Sequence, residues 1–104
     1  MTVVMERFLG NGLYLLDEPE AALSPTRQMA LLFRMHQLVN DASQFIIASH
    51  SPILMSYPGA IIYSLSEDAV CRVDYTDTEH YALTRHFLNN YPSILTELFE
   101  RQSP

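Results

Sequence analysis

Two stretches of the chain are apolar without interruption and then end abruptly in polar groups. Leu13-Tyr14-Leu15-Leu16 stops at Asp17-Glu18-Pro19, and Phe45-Ile46-Ile47-Ala48 stops at Ser49-His50-Ser51-Pro52. Short unbroken apolar runs bounded by turn formers read as strands buried on both faces, the pattern of a parallel sheet covered by helices. Between them Pro19 to Pro25 is a tight, small-residue connection. Ser24 stands as N-cap and Pro25 at the first position of a helix predicted to run to about Asn40. Leu31, Leu32, Met35, Leu38 and Val39 give that helix one apolar face, and Met29 and Phe33 widen it. Ordinary core packing accounts for those two, and so does an unfilled contact with structure outside the chain. Asn40 to Ser43 is the turn into the second run, predicted as a strand over Gln44 to Ser49.

Further along, Ser51 to Tyr57 reads as a short helix, Pro58-Gly59 as a turn and Ala60 to Leu65 as a strand. Ser66-Glu67-Asp68 is a hairpin-like connection to Val70 to Val73, expected as an antiparallel edge. Thr76-x-x-Glu79 has the form of a capping box opening a helix that carries Tyr81, Leu83, Phe87 and Leu88. Pro92 is expected to stop that helix at Tyr91, and a final helix from about Pro92 to Arg101 carries Ile94, Leu95, Leu98 and Phe99. Met1 to Phe8 is ambiguous, since Val3, Val4, Phe8 and Leu9 could continue a helix belonging to a portion missing from the chain. The fold class is therefore α/β, a parallel sheet flanked by helices with a C-terminal strand pair and helices.

Composition narrows the function classes. With 104 residues and 48% hydrophobic content, the chain has material for one small domain with a core. Its formal charge of −6 excludes generic nucleic-acid binding, which needs a basic field. No apolar run approaches the length needed to span a bilayer, and there is no charged-then-apolar leader. Cys71 has no partner for an internal disulfide and suits a reducing cytoplasm, the compartment expected for the chain. His36, His80 and His86 lie on helices without metal-ligand spacing and read as structural or solvated. The six basic side chains are all arginine, and lysine is absent.

The chemistry concentrates at the ends of the two apolar runs. Period-two geometry sends Asp17 and Glu18 to opposite sides, so that one acid can face a metal and the other a water molecule. An apolar run ending in two acids also describes a buried strand that simply enters a solvated loop. Likewise, a histidine after a strand is often just hydrogen-bonded to a turn. Ligands in open α/β sheets bind outside the carboxyl ends of the strands, which brings Asp17, Glu18 and His50 to one crevice.

Together, LYLLDEPEAALSP and FIIASHSP resemble the Walker B strand, D-loop and switch-histidine strand of the ABC-type ATPase superfamily, in its soluble, predicted-ATPase branch. The likeness is strongest over residues 12 to 66, and the run TDTEHYALTRHFLNNYPSIL also resembles the end of that branch. The resemblance implies a partial P-loop NTPase fold and action on ATP with Mg²⁺. By it, Asp17 would hold the Mg²⁺ ion, usually through water, Glu18 would polarise the attacking water, and His50 would contact the γ-phosphate. Ala21 to Ser24 would cross to a second subunit, which implies a homo-oligomer. Ser24 stands where the transporter pattern has an aspartate, which preserves capping but not a carboxylate.

The phosphate loop G-x-x-x-x-G-K-[ST] and the glycine-rich signature sequence have no counterpart in the chain. Residues 1–104 are thus expected to be the C-terminal portion of a single ABC-type ATPase domain, with 1–11 a remnant preceding the Walker B strand and the N-terminal P-loop half missing. Two functions follow: the catalytic C-terminal part of a Mg²⁺-dependent ATPase, inactive alone, or a non-catalytic remnant that keeps the fold and a dimerisation or interaction surface. A metal-dependent nuclease or phosphatase is a distant third, with no D-x-D or H-E-x-x-H pattern behind it. The resemblance also puts a missing P-loop strand between Phe45–Ser49 and Ala60–Leu65. Those two strands are therefore expected to pair directly, or to have the gap filled by a segment of another chain.

Overall fold

The computed structural model describes residues 2–8 and 11–101, with side chains from residue 12 onward. It divides into two compact units, the first ending at Ala60 and the second beginning at Ile61.

The first unit holds a three-stranded sheet of order β1-β2-β3. Strand β1 (Thr2–Phe8) runs antiparallel to β2 (Asn11–Asp17), and β2 runs parallel to β3 (Gln44–Ala48). The helical option is thereby corrected for Thr2–Phe8, and Met1 lies outside the described residues. Thr2, Val3 and Val4 form a β-branched start that suits a pleated strand, and β2 supplies the ladder partner from Phe8 opposite Asn11 back to Thr2 opposite Asp17. Leu9 lies outside the described residues.

Helix α1 (Pro25–Asn40) makes the parallel crossover from β2 to β3. It begins as the sequence predicts: Ser24 Oγ accepts the Arg27 N–H at 3.2 Å and Pro25 occupies the first turn. At its end Ala42 takes a left-handed φ of 64°, and Ser43 N–H reaches back to the Leu38 carbonyl at 2.9 Å, a Schellman-type closure. Met35 is buried at 4% exposure, and Leu31, Leu32 and Leu38 are half-buried. Met29 and Phe33 are exposed, at 56% and 65%. Tyr14 and Phe45, register partners on β2 and β3, stack at 4.8 Å with ring planes 12° apart.

Strand β3 is less covered than an unbroken apolar run predicts: its residues alternate exposed and half-buried, with Ile46 at 63% exposure. It is also an edge strand within its sheet. Beyond it, the predicted short helix over Ser51 to Tyr57 is a single 3₁₀ turn, Leu54–Ser56.

The second unit has a two-stranded antiparallel sheet, β4 (Ile62–Leu65) and β5 (Val70–Val73), with Ile62 opposite Val73 and Leu65 opposite Val70. Direct pairing of the β3 and β4 strands is not made, because β4 pairs with β5 in a sheet of its own. The hairpin closes a loop of only a few residues, which costs less chain entropy than a pairing across the long Ser49–Ile61 connection.

Helix α2 (Glu79–Arg101) follows a 3₁₀ turn at Tyr75–Asp77. Its cap is Thr78, not Thr76: Thr78 Oγ1 accepts the Tyr81 N–H at 3.2 Å and donates to the Tyr75 carbonyl at 2.7 Å. The predicted stop at Tyr91 is instead a break at Asn90 (φ −137°, ψ 19°), after which Pro92 sits in the first turn of the continuing helix and tolerates it. Cys71 is a free, exposed strand residue on β5, as its sequence context implies.

Candidate active site

The candidate residues gather at the carboxyl ends of the parallel pair β2 and β3. Asp17 is the last residue of β2, opposite Ala48 at the end of β3, and its side chain is exposed. Glu18 then turns out of the strand with φ 46° and ψ 54°, a left-handed conformation that costs a side-chain-bearing residue about 1–2 kcal/mol. Its N–H still donates to the Ala48 carbonyl at 2.7 Å, so the ladder reaches one residue past the strand. The two acids are thus separated by a left-handed turn and not by continued strand alternation.

This turn brings Glu18 to His50. His50 Nε2 lies 3.2 Å from Glu18 Oε1, and both side chains remain open to solvent at 69% and 55% exposure. Exposed pairs of this kind add little stability. Their value is positional: a carboxylate and an imidazole side by side at a strand edge, both accessible to a ligand.

Beneath the pair lies a better-held polar network. Glu20 Oε1 accepts from the Ser49 hydroxyl at 2.8 Å and Glu20 Oε2 from the His50 N–H at 3.0 Å. Burial raises the Glu20 pKa, but hydrogen bonds from the His50 and Glu20 backbone N–H groups and the Ser49 hydroxyl, with the His50 charge, outweigh it and hold the carboxyl below its ordinary value. Ser49 Oγ in turn accepts the Ser51 N–H at 2.9 Å. The Ser51 hydroxyl, itself buried, donates to Gln28 Oε1 and accepts the Ile53 and Leu54 N–H groups at 3.2 Å each. Gln28 closes the network by donating to the Leu23 carbonyl at 3.1 Å.

Of the four residues singled out in the sequence, the fold joins Glu18 and His50 directly. Asp17 stands at the same edge without a place in their contact. Ser24 lies beyond the 3₁₀ turn Pro19–Ala22, its oxygen engaged in capping α1. Ser49, Ser51 and Gln28 were not assigned to the site from sequence, and Glu20 counted there only as one of the acids, with Asp17 and Glu18, that make it acidic. The available signal was the pair of short hydroxyl residues flanking His50, which can fold back on neighbouring backbone. Among the described residues no group of three or more His, Cys, Asp or Glu side chains is arranged to hold a metal ion.

Residues 3–56 match the family model described as "AAA domain, putative AbiEii toxin, Type IV TA system". The chain belongs to this family. Membership makes it an AAA, P-loop ATPase-type domain with nucleotide-binding, ATPase-like function. The matched span takes in the whole network from Asp17 to Leu54. No curated protein and no solved structure matches the chain. Among the described residues no helix is long and apolar enough to cross a membrane.

Proposed function

We propose that this AAA-family chain carries the Walker B, D-loop and switch-histidine elements of an ABC-type ATPase, and that it hydrolyses ATP when completed by a phosphate loop from outside these residues. The observation that supports this reading is the contact of Glu18 with His50 at the carboxyl ends of two adjacent parallel strands. Glu18 acts as general base: it takes the proton of the water that attacks the γ-phosphorus, and the bond to the β-phosphate oxygen breaks. His50 contacts the γ-phosphate and holds it in line for attack. Two copies assemble with Ala21 to Ser24 lying across their junction. The site serves in the cytoplasm, without membrane insertion or nucleic-acid contact of its own.

The donor set fits Mg²⁺. Asp17 offers exposed carboxylate oxygens of the hard type that Mg²⁺ prefers. When bound with ATP, the ion supplies charge neutralisation at the β- and γ-oxygens. Without lysine or a glycine-rich loop the acidic edge repels a polyphosphate, so the chain by itself is inactive. The lysine-free composition favours a second reading, a non-catalytic interaction module. Joining the chain to the segment encoded immediately upstream decides between them. Mg²⁺-dependent ATP turnover abolished by Glu18→Gln supports the enzyme, and a folded, joined protein without turnover supports the module.

A further inference from the structure

We infer that Glu20 is the positioning residue of this site: its carboxylate bridges the Ser49 hydroxyl and the His50 backbone N–H, and so sets where His50 stands relative to Glu18. The role rests on the reading of Glu18 and His50 as the working pair, and it deepens that reading.

The geometry argues for it in three steps. The backbone ladder between the two edges ends with Glu18 N–H on the Ala48 carbonyl, so Ser49 and His50 have left the sheet. On the far side of His50 the chain is fixed by the buried Ser51 hydroxyl and its bonds to Gln28, Ile53 and Leu54. On the near side, besides the exposed Glu18–His50 side-chain contact, the Glu20 side chain ties the Glu18 loop to residues 49 and 50 with two hydrogen bonds at 2.8 and 3.0 Å. A carboxylate suits this position because both partners are donors, and charge-assisted bonds are about twice as strong as neutral ones. Aspartate lacks the methylene needed to span both. Glutamine can accept from His50 N–H and donate to Ser49 Oγ, so it preserves the bridge in weakened form.

The Pro19–Ala22 turn adds a mechanical reason. Glu20 sits within this 3₁₀ turn, two residues beyond the left-handed Glu18, so one short segment carries both the Glu18 carboxylate and the clamp on His50.

NMR of the 104-residue chain, without nucleotide, tests this separately from the ATPase reading. In the unsubstituted chain the His50 amide should be protected from exchange, and a cross-relaxation peak should connect the Glu18 γ-protons with the His50 imidazole. Glu20→Ala should speed exchange of the His50 amide at least about tenfold, as expected for loss of a charge-assisted bond, and should remove the Glu18–His50 peak. The β2–β3 cross-strand peaks between Leu15 and Ile46 should persist. Glu20→Gln should restore the peak in part, and Glu20→Asp should not. An unprotected His50 amide in the unsubstituted chain overturns the inference without recourse to any variant. So does a Glu18–His50 peak that survives Glu20→Ala. Absence of turnover in the joined protein would defeat the ATPase reading while leaving these signals in place.

Discussion

Leu16, Met35 and Leu54, in the unit that ends at Ala60, are 4–6% exposed, whereas Leu65, Val70, Leu88 and Phe99, in the unit that begins at Ile61, are 63–76% exposed. Both units contain regular elements with strong apolar patterns. In the first, a helix crosses back over a parallel pair, so apolar residues distant in sequence meet, and the strand ends present Asp17, Glu18 and His50 together. In the second, a hairpin and a helix form mainly from local contacts, and Thr78 is the buried residue among those described. The contrast separates two things that a hydrophobic pattern encodes. It specifies the element directly, but burial depends on what the topology lays against it.

The sharpest way to break this comparison is to ask whether the chemistry stays in the first unit. In the joined ATPase, Glu18→Gln should lower turnover by about 10²–10⁴-fold, the range for loss of a general base, while nucleotide binding is spared. His50→Ala should lower it as well, and Cys71→Ser, on exposed β5, should leave it unchanged. Steady-state kcat with separately measured nucleotide affinity gives the answer. Normal hydrolysis by the Glu18→Gln protein would remove Glu18 from the base role.

Stability should divide in the same way. Leu16→Ala removes a side chain that is 6% exposed at the sheet–helix contact and should cost about 2–5 kcal/mol by urea unfolding. Leu88→Ala, at 63% exposure, should stay within about 0.5 kcal/mol. Equal losses at the two positions would mean that Leu88 is covered in solution, for example by a second copy of the chain.

Much of the first unit was legible because several local signals agreed. Ser24-Pro25 opened α1 where the apolar period began, the turn after Asn40 closed it, and each apolar run ended at a candidate site residue. The proximity of Glu18 and His50 followed from parallel pairing, which the βαβ pattern implies. The role of Glu20 did not follow, since it depends on a left-handed backbone at Glu18 that no residue preference announces. β1 was ambiguous because a seven-residue run carries too few turns to separate the two periods. Direct pairing of the β3 and β4 strands was not legible because the resemblance said what was absent but not which of the two expected outcomes would follow; β4 pairs with β5, the edge strand the sequence also predicted.

Acid should act on the network in the first unit in a predictable direction. The Glu20 pKa is lower in the folded chain than its ordinary value of 4.5, so its contribution to stability is complete above that value and is lost as pH falls through the lower folded one. Thermal unfolding midpoints should therefore drop more steeply below about pH 5 for the unsubstituted chain than for Glu20→Gln. The difference between the two curves should vanish at the acid end. Parallel curves across the whole acid range would show that the Ser49 and His50 bonds do not favour the ionised form.

The smallest expected effect discriminates between two readings of the stretch from Tyr75 to Tyr81. A capping box at Thr76-x-x-Glu79 makes Thr76 the cap of α2, whereas the structure gives that place to Thr78, which is 6% exposed and bonded through its hydroxyl to Tyr81 N–H and the Tyr75 carbonyl. Glu79 is then the first helical residue, where its charge favours the positive end of the helix dipole and does not reach back to a cap. Thr78→Ala should cost about 0.5–2 kcal/mol, the range for N-cap loss. Thr76→Ala, at an exposed position, should fall within about 0.5 kcal/mol. Urea unfolding of the second unit followed by helix circular dichroism measures both. A larger loss at Thr76 than at Thr78 would return the cap to Thr76 and move the start of α2 two residues toward the hairpin.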